Sequence, residues 1–284
     1  MDKVRARGFR NLALAAILAS LCVEPAVPEA AYASDQLYAQ SAEALLQKHF
    51  LAAEVNYLLL DPRSGNLLAS RWPQMERAVP IGSLMKPFTA VAYARSHRQF
   101  PQFFCHGTSG ACWLPRGHGQ LDLPHALANS CNAYFRALAA EVQPPEEARA
   151  LSSFGLPAST LTASDMAGLG DTFKARPLDL ARGYAALAAQ RENQSISPVI
   201  LGMQMAAQIG TARIIGRTIT TAPALAKTGT APCIHGNGPG DGFAIVLYPA
   251  DAPRLELLVR VHSAPGAHAA SVAAMMLHAL LEQN

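Results

Sequence analysis

The chain has 284 residues, half of them apolar and 15% charged, with a formal net charge of only +3. That supplies a large hydrophobic core at the size of one domain. It offers no basic run or basic-aromatic patch, which excludes nucleic acid as an expected partner.

The first residues form a leader. Lys3, Arg5, Arg7 and Arg10 precede an apolar run over residues 12–23, too short to span a membrane as a helix. Ala31-Tyr32-Ala33 is a small-x-small site suited to cleavage before Ser34. This layout predicts a secretory signal peptide over residues 1–33, export to the periplasm or another extracytoplasmic space, and a mature domain over residues 34–284. An uncleaved anchor is the rival reading. Lipidation at Cys22 is set aside because Leu21 is too large for the usual cleavage position.

Residues 35–50 carry a helical pattern. Residues 55–60 read as a buried strand, 61–66 as turn chemistry and 67–71 as the returning strand of a hairpin. Residues 83–99 turn helical, with Pro87 near the first turn, where a missing N–H does least damage. Residues 107–119 are Gly-rich loop. Residues 124–142 read as helical and broken around Ser130. Pro144-Pro145 and residues 155–157 punctuate further short helices, and residues 176–191 and 203–209 add others. The last third changes character: strands over 224–230, 243–248 and 255–261, a Gly-rich loop over 232–241, and a closing apolar helix over 269–281. Strands thus occupy both ends of the domain and helices fill the middle. There is no internal repeat.

Four cysteines follow the leader: Cys105, Cys112, Cys131 and Cys233. Export permits a disulfide. Cys105 and Cys112 flank Gly107-Thr108-Ser109-Gly110, and a bridge between them would close a small loop. Zinc is the competing reading. The chain has no Cys-x-x-Cys or His-Glu-x-x-His spacing and its nine histidines are scattered, so no metal site is expected. Cys131 is expected to point into the core.

Lysine is scarce beyond the leader: Lys48, Lys86, Lys174 and Lys227. Two of these sit in motifs that belong together. Ser83-Leu84-Met85-Lys86, Ser130-Cys131-Asn132 and Lys227-Thr228-Gly229 give Ser-x-x-Lys, Ser-x-Asn and Lys-Thr-Gly in the order found in serine enzymes that acylate on penicillin-like substrates. Each motif alone is an ordinary helix turn or strand end; the ordered set is specific. A serine hydroxyl needs a base, and the i, i+3 spacing puts Ser83 and Lys86 on one helical face. Burial would favour neutral Lys86 as that base. Ser130 would relay a proton between Lys86, the leaving group and Lys227, and Asn132 would bond a substrate amide. On a sheet edge, Lys227 and Thr228 would hold a substrate carboxylate, and Gly229 would let the ligand backbone approach. The N–H groups of Ser83 and Thr230 would form an oxyanion hole.

The surrounding sequence resembles penicillin-binding protein transpeptidase domains of the serine β-lactamase superfamily. The likeness runs through Pro80-Ile81-Gly82-Ser83-Leu84-Met85-Lys86-Pro87-Phe88-Thr89-Ala90 and Gly117-His118-Gly119. It continues through Ser130-Cys131-Asn132-Ala133-Tyr134-Phe135 and the stretch from Pro177 to Ala188, then through Gly202-Met203, Gly210-Thr211-Ala212 and Lys227-Thr228-Gly229-Thr230-Ala231. The resemblance implies an α/β (α+β) fold: an antiparallel sheet flanked by terminal helices, with an inserted all-helical lobe and the serine site between lobe and sheet. It implies no metal or organic cofactor. It implies attack on the D-Ala-D-Ala end of a peptidoglycan stem peptide, with β-lactam antibiotics as covalent inhibitors. The aromatic residue often found after the third motif is absent; Gly240-Asp241-Gly242-Phe243 stands there. A D,D-transpeptidase or D,D-carboxypeptidase is thus expected. The alternatives are a β-lactamase, for which residues 148–191 hold no Glu as deacylating base, and a non-turnover penicillin- or peptidoglycan-sensing module.

Overall fold

A computed structural model describes residues 29–158, 161–233 and 240–282; the signal-peptide expectation falls almost entirely outside them. The chain runs α1 (Glu29–His49), β1 (Val55–Asp61), β2 (Asn66–Arg71) and β3 (Val79–Pro80). A 3-10 turn (Gly82–Met85) leads into α2 (Lys86–Ser96). Then come β4 (Phe103–Cys105), a second 3-10 turn (Gly107–Gly110), β5 (Gly119–Leu121), α3 (Leu123–Ala128), α4 (Asn132–Ala140), α5 (Pro144–Ser153) and α6 (Ala163–Met166). β6 (Lys174–Ala175), α7 (Pro177–Ala189), α8 (Ser197–Gln208) and α9 (Arg213–Thr218) complete the middle. β7 (Leu225–Ala231), β8 (Asp241–Tyr248), β9 (Leu255–Val261) and α10 (Gly266–Leu281) close it.

Five strands form one antiparallel sheet in the order β2-β1-β9-β8-β7. Its inner strands are buried on both faces, which is why their sequences read as continuous apolar runs. Tyr57, Leu59, Val246 and Leu257 pack toward α1 and α10. Leu58, Leu60, Phe243, Ile245 and Leu258 face the opposite core, shared with the helical lobe from α2 to α7. The expected fold class is therefore observed: a mixed sheet-and-helix domain with terminal helices behind the sheet and an inserted helical lobe in front.

Two differences from the sequence reading have local causes. The loop over residues 107–119 is not wholly irregular, because β4 and β5 pair across it, Cys105 with Gly119 and Phe103 with Leu121. Ser83 lies in a 3-10 turn rather than in the body of α2. Gly82 before it has φ +52, and a Cβ there would sit 2.5 Å from the Thr230 carbonyl oxygen. That contact demands glycine and presses the turn against β7. No helix of the described residues is long and apolar enough to cross a membrane.

Candidate active site

The sheet edge, the Ser83 turn and the α3–α4 junction meet around a cleft of about 320 Å³. Ser83, Ser130, Asn132, Thr228, Gly229 and Thr230 line it. Lys86 and Lys227 lie beneath them, each 0% exposed.

The α3–α4 junction explains how Ser130 reaches the cleft. α3 ends with Ser130 N–H bonded to Leu127 O and Cys131 N–H bonded to Ala126 O, the paired bonds of a Schellman stop. The position that glycine usually fills is here Ser130, at φ +51. A left-handed conformation costs a side-chain-bearing residue about 1–2 kcal/mol, and such strain persists where surrounding contacts fix it. Lys86 supplies one such contact. Its Nζ donates to Ser130 O at 2.9 Å, to Ser130 Oγ at 3.2 Å and to Asn132 Oδ1 at 2.7 Å. It also lies 5.4 Å from the Phe135 ring centre, in cation–π range.

Lys227 completes the arrangement from the sheet. Its Nζ donates to Ser130 Oγ at 2.9 Å and to Thr228 O at 2.6 Å. One serine hydroxyl is thus held between two buried lysines. Burial pulls the Lys86 pKa down to about 7, opposed by the Cys131 and Cys112 thiols and assisted by Arg136. Burial, and then the Lys86 charge, holds Lys227 well below its ordinary value. Lys86 is therefore a competent proton carrier near neutrality.

Ser83 sits on the wall above this pair. Gly168 packs there at φ +69, and a Cβ on it would come within 3.0 Å of Ser83 Cα and 3.2 Å of Lys86 Cγ. The buried Tyr184 hydroxyl of α7 donates to Leu84 O at 2.8 Å and pins the Ser83 turn to the lobe.

Two site residues expected from the sequence have surroundings that bear on their roles. A Cβ on Gly229 would come within 3.2 Å of Ile81 O and 3.3 Å of the Leu84 side chain, so the missing side chain lets the Ser83 turn pack closely while Gly229 also lines the cleft. Lys227 was expected both at the substrate carboxylate and as a partner of Ser130; its Nζ bonds Ser130 below the cleft floor, while the cleft presents Thr228, Thr211 and Thr230. Thr228 Oγ1 donates to Thr211 Oγ1 at 2.6 Å.

Thr211, Trp113 and the Gly168-Leu169-Gly170 segment also line the cleft and were not assigned there from the sequence. Thr211 lies in the Gly210-Thr211-Ala212 stretch singled out by resemblance, with nothing local to give it a role. Trp113 is half exposed and reaches back to Asn129 O at 3.3 Å. It brings an aromatic wall to a site that lacks the aromatic residue expected after the third motif.

Of three acids that could serve as a deacylating base, two are held in other interactions. Asp165 accepts from the backbone of Thr162, Thr172 and Phe173 and from both threonine hydroxyls. Asp179 is paired with Arg176, and Asp171 is exposed.

Cys105 and Cys112, between which the sequence allows a disulfide, are both free thiols. They converge with Cys131 and His118 behind the Ser130 turn. Cys131 is buried, as its place between two cleft residues implied.

No family sequence model and no curated protein sequence matches the chain. Solved structures do match its fold. The chain is similar to Pseudomonas aeruginosa PBP2 in complex with WCK 5153, at 18% identity and TM-score 0.68 over 88% of this chain and 73% of that one. It is similar to the transpeptidase domain of Burkholderia pseudomallei penicillin-binding protein 3, at 17% identity and TM-score 0.65 over 88% and 93%. Against PBP2 from Helicobacter pylori the TM-score is 0.70 at 15% identity, over 86% of this chain and 63% of that one. The chain thus has the fold of penicillin-binding protein transpeptidase domains.

Proposed function

We propose that this protein is a penicillin-binding serine acyltransferase, a D,D-transpeptidase or D,D-carboxypeptidase acting on D-Ala-D-Ala ends of peptidoglycan stem peptides. The observation that carries this reading is the Ser130 hydroxyl held between Lys86 and Lys227 under a cleft that Ser83 lines.

The chemistry follows from that arrangement. Neutral Lys86 takes the hydroxyl proton of Ser83 as Oγ bonds to the substrate carbonyl carbon. The oxyanion that forms faces the N–H groups of Ser83 and Thr230. The carbon–nitrogen bond then breaks, and the departing D-Ala amine takes a proton from Ser130, whose hydroxyl is replenished from the lysines. An amine or water loses its proton by the reverse route and attacks the ester, releasing Ser83. The Thr228 and Thr211 hydroxyls hold the substrate carboxylate, Asn132 bonds the substrate amide, and Trp113 covers the apolar side. β-lactams, whose strained amide is opened by the same attack, are covalent inhibitors.

The proposed substrate and the leader both support a role outside the cytoplasm, in cell wall synthesis or remodelling, with removal of residues 1–33 as part of the proposal. One experiment tests both points. Envelope protein is treated with a fluorescent penicillin and followed by intact mass. A stable adduct on a chain starting at Ser34 is expected, with none on Ser83→Ala. An adduct of equal strength on Ser83→Ala would overturn the assignment of the nucleophile. A chain still carrying Met1 would overturn the cleavage, and rapid return to unmodified mass would identify a β-lactamase instead.

A further inference from the structure

Behind the cleft floor, four donors from the β4–β5 connection and the α3–α4 junction meet. Cys105 ends β4, Cys112 follows the second 3-10 turn, His118 immediately precedes β5, and Cys131 precedes α4. Their ligand atoms all lie within 4.8 Å of one another. Cys105 Sγ is 3.6 Å and Cys112 Sγ 3.5 Å from His118 Nδ1, and Cys112 Sγ is 3.8 Å from Cys131 Sγ.

These lengths have a specific meaning. Zinc binds thiolate at about 2.3 Å and imidazole at about 2.0–2.1 Å in a tetrahedron, so the tetrahedron's edges are about 3.8 Å between sulfurs and about 3.6 Å between sulfur and nitrogen. The three edges given above, of the tetrahedron's six, match. A disulfide needs sulfurs about 2.05 Å apart, and pairing any two of the three thiols would strand the third beside a histidine. The loop is also shaped for convergence. Gly107 and Gly117 have φ +73 and +76, and a Cβ on either would come within 2.1 Å of backbone, at Pro115 O and Cys105 O respectively. Only with both side chains absent does the loop cross itself and deliver Cys105, Cys112 and His118 to one point. His118 Nε2 is buried with no protein partner. Without a metal, the ring would have only weakly bonding thiols at its other nitrogen.

We propose that Cys105, Cys112, His118 and Cys131 form a structural zinc site that clamps the β4–β5 loop to the Ser130-Cys131-Asn132 turn. Three soft thiolates and one imidazole select zinc over hard cations. Four protein donors leave no open position for substrate, so the site is structural. Cys131 lies between Ser130 and Asn132, and Cys112 adjoins Trp113, so the ion fixes the proton-relay serine, the amide-binding asparagine and the aromatic wall together. This departs from the expectation of no metal, which rested on ligand spacing in the sequence and on the family resemblance. It does not depend on the acylation reading.

The test is metal content and fold rather than activity. The full chain is purified under reducing conditions with zinc supplied, and bound metal is read by elemental analysis and native mass. One zinc per chain is expected, and cobalt in its place should give the visible absorption bands of a tetrahedral thiolate complex. Cys112→Ser should lose the metal. His118→Cys, which preserves four donors, should keep it and remain folded, and Cys233→Ser should keep it as a control outside the cluster. Wild-type protein without stoichiometric zinc, full retention of zinc by Cys112→Ser, or a Cys105–Cys112 disulfide in the peptide map of non-reduced envelope protein would each overturn the site.

Discussion

Lys227→Ala separates two roles for the lysine of the third motif. In a direct role its ammonium grips the substrate carboxylate. In the role drawn from this structure it works through Ser130, because its Nζ is 0% exposed and already donates to Ser130 Oγ at 2.9 Å and Thr228 O at 2.6 Å. A hydrogen bond with a charged partner contributes about 1.5–3 kcal/mol. Its loss should therefore slow acylation about tenfold to a hundredfold. Because the lost bond is to Ser130, the factor should be the same for a penicillin and for its carboxamide. Thr228→Val, which removes a hydroxyl the cleft presents, should instead slow the penicillin more than the carboxamide. The assay is the second-order acylation rate of each ligand on each variant. If Lys227→Ala slows only the carboxylated ligand, Lys227 grips the carboxylate directly and the relay reading fails.

Two further outcomes follow from buried groups. Burial raises the Glu147 pKa from 4.5 to about 8, against the Thr89 hydrogen bond and Arg95, so its stabilising protonated form is complete below the unfolded pKa and is lost as pH rises through about 8. Linkage gives about 1.36 kcal/mol per pH unit across that window, about 5 kcal/mol in all. Glu147→Gln should therefore gain on the wild type in urea unfolding from pH 5 to pH 8; parallel stabilities would show that Glu147 ionises freely in the fold. At Ser130, with φ +51, Ser130→Gly should be about 1 kcal/mol more stable than Ser130→Ala in thermal unfolding, since glycine adopts the left-handed region without strain, while both variants lose the relay hydroxyl. Equal stability would mean that the turn does not hold this conformation in solution.

The sequence by itself determined the local facts of this protein. Periodicity marked β1, β2, β8, β9 and α10, since an apolar run bounded by turn residues needs no distant partner to be read. The three motifs supplied the cleft residues in order, because the spacing of Ser83 and Lys86 and of Ser130 and Asn132 is set by single turns of chain. Tertiary structure decided what each of them faces. Gly229 reads as room for a ligand, and only the fold shows the Ser83 turn packed against it; Lys227 reads as a sheet-edge charge until packing buries it under Ser130. Thr211, Trp113 and Gly168 join the cleft from distant segments with no local signal. The cysteines are the clearest case. Spacings of seven, six and thirteen residues along Cys105, Cys112, His118 and Cys131 form no recognised ligand pattern. Donor atoms a few ångströms apart are placed by how a glycine-hinged loop folds back onto a helix start, and one-dimensional spacing does not encode that distance.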